Sequence, residues 1–150
     1  MNVDKCNACH EVKTVEDTRN IRAEDDTTDW DGDGNVTEGI DGEIATMRET
    51  LYAALQAKAE AGGTPIVYNA FAYPYFFVDA DKDGKPDKND KGANVGYNAW
   101  TPRLLKAAYN YQYSVKDPGA FAHNGKYVLQ FLYDSIQDLN PAAAAGMTRP

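Results

Sequence analysis

Residues 39–61 read Gly-Ile-Asp-Gly-Glu-Ile-Ala-Thr-Met-Arg-Glu-Thr-Leu-Tyr-Ala-Ala-Leu-Gln-Ala-Lys-Ala-Glu-Ala, followed by Gly62-Gly63. Ile40, Ile44, Met47, Leu51 and Leu55 recur at spacings of four and three, with Tyr52 and Ala59 beside them. Such positions share one face of an α-helix, so the stretch predicts an amphipathic helix from Gly39 to about Ala61, its apolar stripe turned to a core. The glycine pair ends it.

Working toward the C-terminus, Thr64 to Val78 is aromatic and partly β-branched but interrupted by Pro65 and Pro74, which suits extended chain rather than a regular central strand. Thr101-Pro102 starts a second helix, a side-chain cap followed by proline at the first helical position, expected to run to about Tyr113. A third is expected from Asn124 to Leu139, carrying Val128, Leu132, Ile136 and Leu139 on one face before Pro141 breaks it. The Ala-rich residues 141–150 read as a frayed tail. Toward the N-terminus, Glu11 to Thr28 is polar, without sustained period, and reads as irregular chain with one short helix. The expected fold class is mainly α: one helical domain over residues 1–150 with long irregular loops.

Two of those loops are acidic and alike. Asp79, Asp81, Asp83, Lys85, Asp87 and Asp90 occupy positions 1, 3, 5, 7, 9 and 12 of a loop over 79–90, with Gly84 at position 6. That is the EF-hand calcium pattern: alternate carboxylates converge on one hard cation, glycine permits the sharp turn, and the Lys85 carbonyl supplies the seventh-position oxygen. Asp29, Asp31, Asp33, Gly34 and Asn35 repeat its first half in a loop over 29–41. Ile40 at position 12 cannot ligate there, so Glu38 is expected to close the site, with Asp41 a poorer candidate. The competing reading of both is a solvated acidic turn ahead of a helix, where carboxylates favour the helix dipole. Neither loop lies between two EF-hand helices, so a structural cation is expected rather than a calcium sensor.

Near the N-terminus, Cys6-Asn7-Ala8-Cys9-His10 contains both cysteines of the chain and has the Cys-x-x-Cys-His spacing of covalent c-type haem attachment. Two thiols three positions apart reach the two vinyl groups of one porphyrin, and His10 is then delivered to the iron as proximal ligand. Thioredoxin-like chemistry belongs near a βαβ pattern, for which residues 1–5 leave no room. Zinc needs four ligands, and the only later Cys or His is His123. A small disulfide loop is the remaining alternative.

With two histidines in the chain, His123 is the expected sixth iron ligand, completing a bis-histidine haem. Its competitors are water, Met47 on the core stripe and Met147 in the tail. Two imidazoles leave no open site on iron, which points to electron transfer rather than bond-breaking chemistry. Tyr68, Phe71, Tyr73, Tyr75, Phe76 and Phe77 include candidates for packing on a porphyrin, though ordinary core packing is expected of most.

The run 100–112 (Trp-Thr-Pro-Arg-Leu-Leu-Lys-Ala-Ala-Tyr-Asn-Tyr-Gln), continuing through Lys116-Asp-Pro-Gly-Ala-Phe-Ala-His123-Asn124-Gly-Lys-Tyr, resembles the C-terminal region of bacterial multihaem c-type cytochromes. The Asp29 to Ile40 loop and its following helix resemble the same proteins. The resemblance implies a helical scaffold carrying covalent haem, a His-Asn near a helix start as distal ligand, and respiratory electron relay in the periplasm or outside the cell. It makes Cys6 and Cys9 thioether sites, His10 proximal and His123 distal. This chain has one haem motif rather than several, so it is expected to be either the last segment of a longer cytochrome or a single-haem protein that docks with redox partner proteins or neighbouring haem modules, with a homo-oligomer possible.

The formal net charge of −8 argues against nucleic acid and anionic membrane as partners. No apolar run approaches a membrane span, and the N-terminus has neither the basic nor the apolar region of a signal peptide. Since thioether attachment normally occurs outside the cytoplasm, the chain reads as a mature fragment of a longer secreted precursor. Two rivals make different predictions: a fragment of a nitrite- or hydroxylamine-reductase-like enzyme would have an open iron, and a non-haem extracellular calcium module would be colourless.

Overall fold

A computed structural model describes residues 3–22 and 26–150. The predicted first helix is α1, Ile40–Ala61. Ile44, Met47, Leu51 and Leu55 are fully enclosed, as their spacing requires. Gly39 enters the helix in extended conformation and Gly63 leaves it at φ +89°, a left-handed value that favours glycine.

The stripe of α1 is covered chiefly by α3 (Ala120–Leu139) and also by α2 (Pro102–Lys116), which pack on each other. Leu104, Ala107 and Ala108 enter the core from α2; Val128, Leu129, Leu132 and Ile136 enter from α3. Thr101 Oγ1 accepts the Leu104 N–H at 3.2 Å, the side-chain cap its sequence announces. The helix continues three residues past the expected Tyr113 because Arg48 of α1 holds its last turn, donating to Ser114 Oγ at 3.2 Å and to the Ser114 carbonyl at 2.8 Å.

Residues 64–78 are more ordered than expected. β1 (Ile66–Tyr68) and β2 (Phe76–Val78) form an antiparallel hairpin with Val67 opposite Phe77. Pro65 precedes the first strand and Pro74 lies in the connection, after a cis bond from Tyr73, so neither removes an N–H from the ladder. Ile66 and Phe76 pack into the helical core. Phe71 and Tyr73 instead stand fully or largely exposed.

α3 begins four residues before the expected Asn124. One turn over 120–123 is followed by a break at Asn124 (φ 168°, ψ 69°), whose Oδ1 accepts the Tyr127 N–H at 3.4 Å and restarts the helix. The tail is not frayed. Ala144 is buried, the Thr148 N–H donates to the Trp30 carbonyl at 3.0 Å, and Arg149 pairs with both oxygens of Asp134. Small residues allow this docking: a Cβ on Gly32 would fall 2.5 Å from the Gly146 carbonyl oxygen. Among the described residues, no helix is long and apolar enough to cross a membrane.

Candidate functional site

The cysteine motif forms tight turns after a short 3-10 helix at Val3–Lys5. The Cys6 and Asn7 N–H groups donate to the Val3 carbonyl at 2.9 and 3.0 Å, and the Cys9 and His10 N–H groups donate to Cys6 O at 3.2 and 2.9 Å. Both thiols are free, with Cys6 half-buried and Cys9 exposed. Two clefts lie beside Cys6 and His10. One of about 260 Å³ is walled by Cys6, Thr18, Ile21, Phe121 and Ala122. The other, about 550 Å³, has His10, Val12, Ile21 and Arg22 on its walls together with Val36 and Thr37 of the first acidic loop. Ile21 lines both, so the two clefts are neighbours on the surface. The apolar wall beside Cys6 and two unpaired thiols suit a covalently held porphyrin.

His123 stands in the first turn of α3, directly after Phe121 and Ala122 of that wall. Its side chain is 71% exposed. Nδ1 lies 3.0 and 3.1 Å from the two oxygens of Asp117, and the ring folds over Gly119, where a Cβ would come within 2.6 Å of it. When Nδ1 carries the proton toward Asp117, the Nε2 lone pair is left for a metal, and the partner fixes the tautomer of a ligating imidazole. The hydrogen bond to His123 also holds the Asp117 carboxyl below the usual carboxylate range. Of the competing ligands, Met47 is wholly enclosed and Met147 packs against the core.

The two acidic loops share one backbone design. In each, the aspartate at position 1 accepts the N–H of the position 6 glycine: Gly34 to Asp29 at 2.9 Å, Gly84 to Asp79 at 3.2 Å. Position 3 accepts from position 5 and position 5 from position 7, through Asp31, Asp33 and Asn35 in one loop and Asp81, Asp83 and Lys85 in the other. Positions 4 and 6 are left-handed in both, at Gly32 (φ +79°) and Gly34 (+91°), and at Lys82 (+60°) and Gly84 (+79°).

Carboxylate oxygens gather in each loop. Asp31, Asp33 and Glu38 bring theirs within 4.8 Å of one another, as do Asp29, Asp31 and Glu43, and as do Asp79, Asp81 and Asp87. Asp83 and Asp90 lie outside the second loop's group, Asp83 pairing with Lys85 Nζ at 3.2 Å. Asn35 Oδ1 accepts the N–H and hydroxyl of Thr37 at 3.1 and 2.8 Å. Asp31 and Asp79 are each only 4% exposed, yet Asp31 Oδ2, Asp79 Oδ1 and Glu38 Oε1 are buried without a hydrogen-bond partner. Burial and then the neighbouring negative charges push the Asp31 carboxyl up to about 6 and the Glu38 carboxyl up to about 7. Orphaned buried carboxylate oxygens that repel one another are the donor set a hard cation satisfies.

Sequence reasoning missed Arg22 and Glu43. Glu43 is completely enclosed; its Oε2 accepts the Trp30 and Asp31 N–H groups at 3.0 and 2.9 Å, and its Oε1 pairs with Arg22. Position 43 lies beside Ile40 and Met47 on the helix, so its burial was legible from periodicity. Its partners, 12 to 21 residues away, were not.

Cys6 on the cleft wall, with Cys9 and His10 in the turns that follow it, forms a donor set whose chemistry fits a covalently held haem, and the sequence is similar to those of polyheme c-type cytochromes. The chain is 32% identical over 104 residues to the C-type polyheme cytochrome OmcB of two Geobacter sulfurreducens strains, a match covering 63% of this chain and 14% of the relative. It is 30% identical over 102 residues to the C-type polyheme cytochrome OmcC of the same organism, covering 62% and 13%. The chain therefore spans a small part of the length of these relatives. No family model and no solved structure matches it.

Proposed function

We propose that this chain is an electron-transfer module in which one haem is bound through thioethers to Cys6 and Cys9, with His10 as proximal and His123 as distal iron ligand. The observation that carries the reading is the convergence of the Cys6 turn with Phe121 and Ala122, immediately before His123, on the walls of one recess. The haem supplies a one-electron couple when bound. The protein holds it covalently, covers part of it with apolar side chains, and orients His123 through Asp117. With imidazole on both faces the iron has no free position, so the module exchanges electrons without chemistry on a small substrate.

Calcium is the proposed structural ion of both loops, held by Asp29, Asp31, Asp33, Asn35 and Glu38 in the first and by Asp79, Asp81, Asp83, the Lys85 carbonyl, Asp87 and Asp90 in the second. Support comes from the shared loop geometry and the orphaned oxygens; Asp83 and Asp90 would have to turn inward. Redox proteins or neighbouring haem modules are the proposed partners, and the periplasm or cell exterior the proposed location, since thioethers form there.

The test is the protein matured with the haem-attachment machinery. A pyridine haemochrome of the double-thioether type, with an oxidised spectrum of low-spin bis-histidine iron, is expected. Ready binding of cyanide or nitrite to the ferric protein without denaturant would favour the enzyme-fragment reading, and a colourless product the calcium module.

A further inference from the structure

Arg22 joins the haem recess to the first acidic loop. Its side chain is 8% exposed, on the wall of the cleft that also carries His10. Nη1 donates to the Glu38 carbonyl at 3.0 Å and pairs with Glu43; Nε donates to the Asp26 carbonyl at 2.7 Å; Nη2 donates to the Thr28 carbonyl. Glu43 in turn holds the backbone N–H of Asp31. One buried ion pair therefore ties down both ends of the loop, at Thr28 to Asp31 and at Glu38, while Val36 and Thr37 between them form recess wall. The loop can accept a cation on independent grounds, since Asp31 is 4% exposed and its Oδ2 has no partner.

We infer that cation binding in the 29–38 loop and reduction of the iron at His10 are linked, with Arg22 as the positioning residue between them. The inference rests on the haem and calcium reading above. Filling the loop draws Asp31, Asp33 and Glu38 together, which pulls on the Glu38 carbonyl and, through Glu43, on Asp31, the two points Arg22 grips. The recess wall shifts with them. The electrostatic sign is fixed: reduction removes one positive charge from the iron, so a nearby dication favours the reduced state. Calcium accordingly raises the reduction potential, and by reciprocity the reduced protein binds calcium more tightly.

Coupling between sites commonly amounts to at least fivefold in affinity, and tenfold corresponds to 59 mV for one electron. The experiment is spectroelectrochemistry of the haem-loaded protein in calcium and in chelator, with calorimetric calcium titration of both redox states. A calcium-dependent rise is expected in wild type and in Asp79→Asn, which disables the other loop, and no rise in Asp31→Asn. Arg22→Lys keeps the charge but loses the forked contacts, so it is expected to bind calcium with a smaller rise, the direct electrostatic part remaining; an undiminished rise removes Arg22 from the path. Calcium bound to the loop with an unmoved wild-type potential overturns the linkage while leaving the calcium reading intact. A calorimetric titration without binding overturns both.

Discussion

Without a bound cation, the stability of this protein is expected to fall as pH rises from 5 to 7.5. In the cation-free fold the Asp31 carboxyl titrates near 6 and that of Glu38 near 7, against ordinary values of 3.8 and 4.5. The folded state therefore holds protons that the unfolded chain has released, and stability contributed below these values is lost as pH climbs through them. Each pKa unit is worth about 1.4 kcal/mol. Between pH 5 and 7.5 the linkage relation gives a loss of about 1–2 kcal/mol from Asp31 and about 2–3 kcal/mol from Glu38 taken separately. Because the two repel each other and titrate together, a joint loss of about 3 kcal/mol is expected, or a fall in melting temperature of about 6–12 °C for a chain of this size. The assay is thermal unfolding in chelator across that range, repeated in excess calcium, which on the proposed reading takes the place of the protons and should give most stabilisation at the higher pH. A chelated protein whose melting temperature is flat or rising from pH 5 to 7.5 would refute the argument that these carboxylates are forced together.

Three other outcomes follow from the same contacts. His123→Ala is expected to leave the haem attached while shifting its absorption spectrum and opening the iron to cyanide; an unchanged spectrum removes His123 from the axial position. Leu132→Ala, which empties a fully enclosed site between α1 and α3, should cost about 2–5 kcal/mol in denaturant unfolding without altering the haemochrome. Glu43→Ala strands Arg22 in a buried site and removes the acceptor for two backbone N–H groups, so a loss of about 3–5 kcal/mol is expected in the same assay, against 1 kcal/mol or less for Glu16→Ala at an exposed ion pair.

Helical periodicity made α1 legible almost to the residue, since burial of Ile44, Met47, Leu51 and Leu55 is a local consequence of spacing. Thr101-Pro102 announced α2 for an equally local reason, but its true end depends on Arg48, 66 residues away from Ser114 in sequence. The β-hairpin was hidden by its two prolines, which lie just outside the paired residues. The docked tail was hidden because alanine and glycine carry little patterning, and their role as close-approach surfaces appears only once Gly32 and Gly146 meet. In the candidate site, loop spacing forecast the shared geometry of 29–38 and 79–87. The buried Arg22–Glu43 pair carries no motif, and charged residues ordinarily read as surface.

The central claim is a porphyrin joined to Cys6 and Cys9. Intact mass of the chain after maturation in a periplasm competent for haem attachment tests it most directly: the mass of the polypeptide plus one haem is expected, surviving acid–acetone extraction. Polypeptide mass alone from the same cells would contradict it.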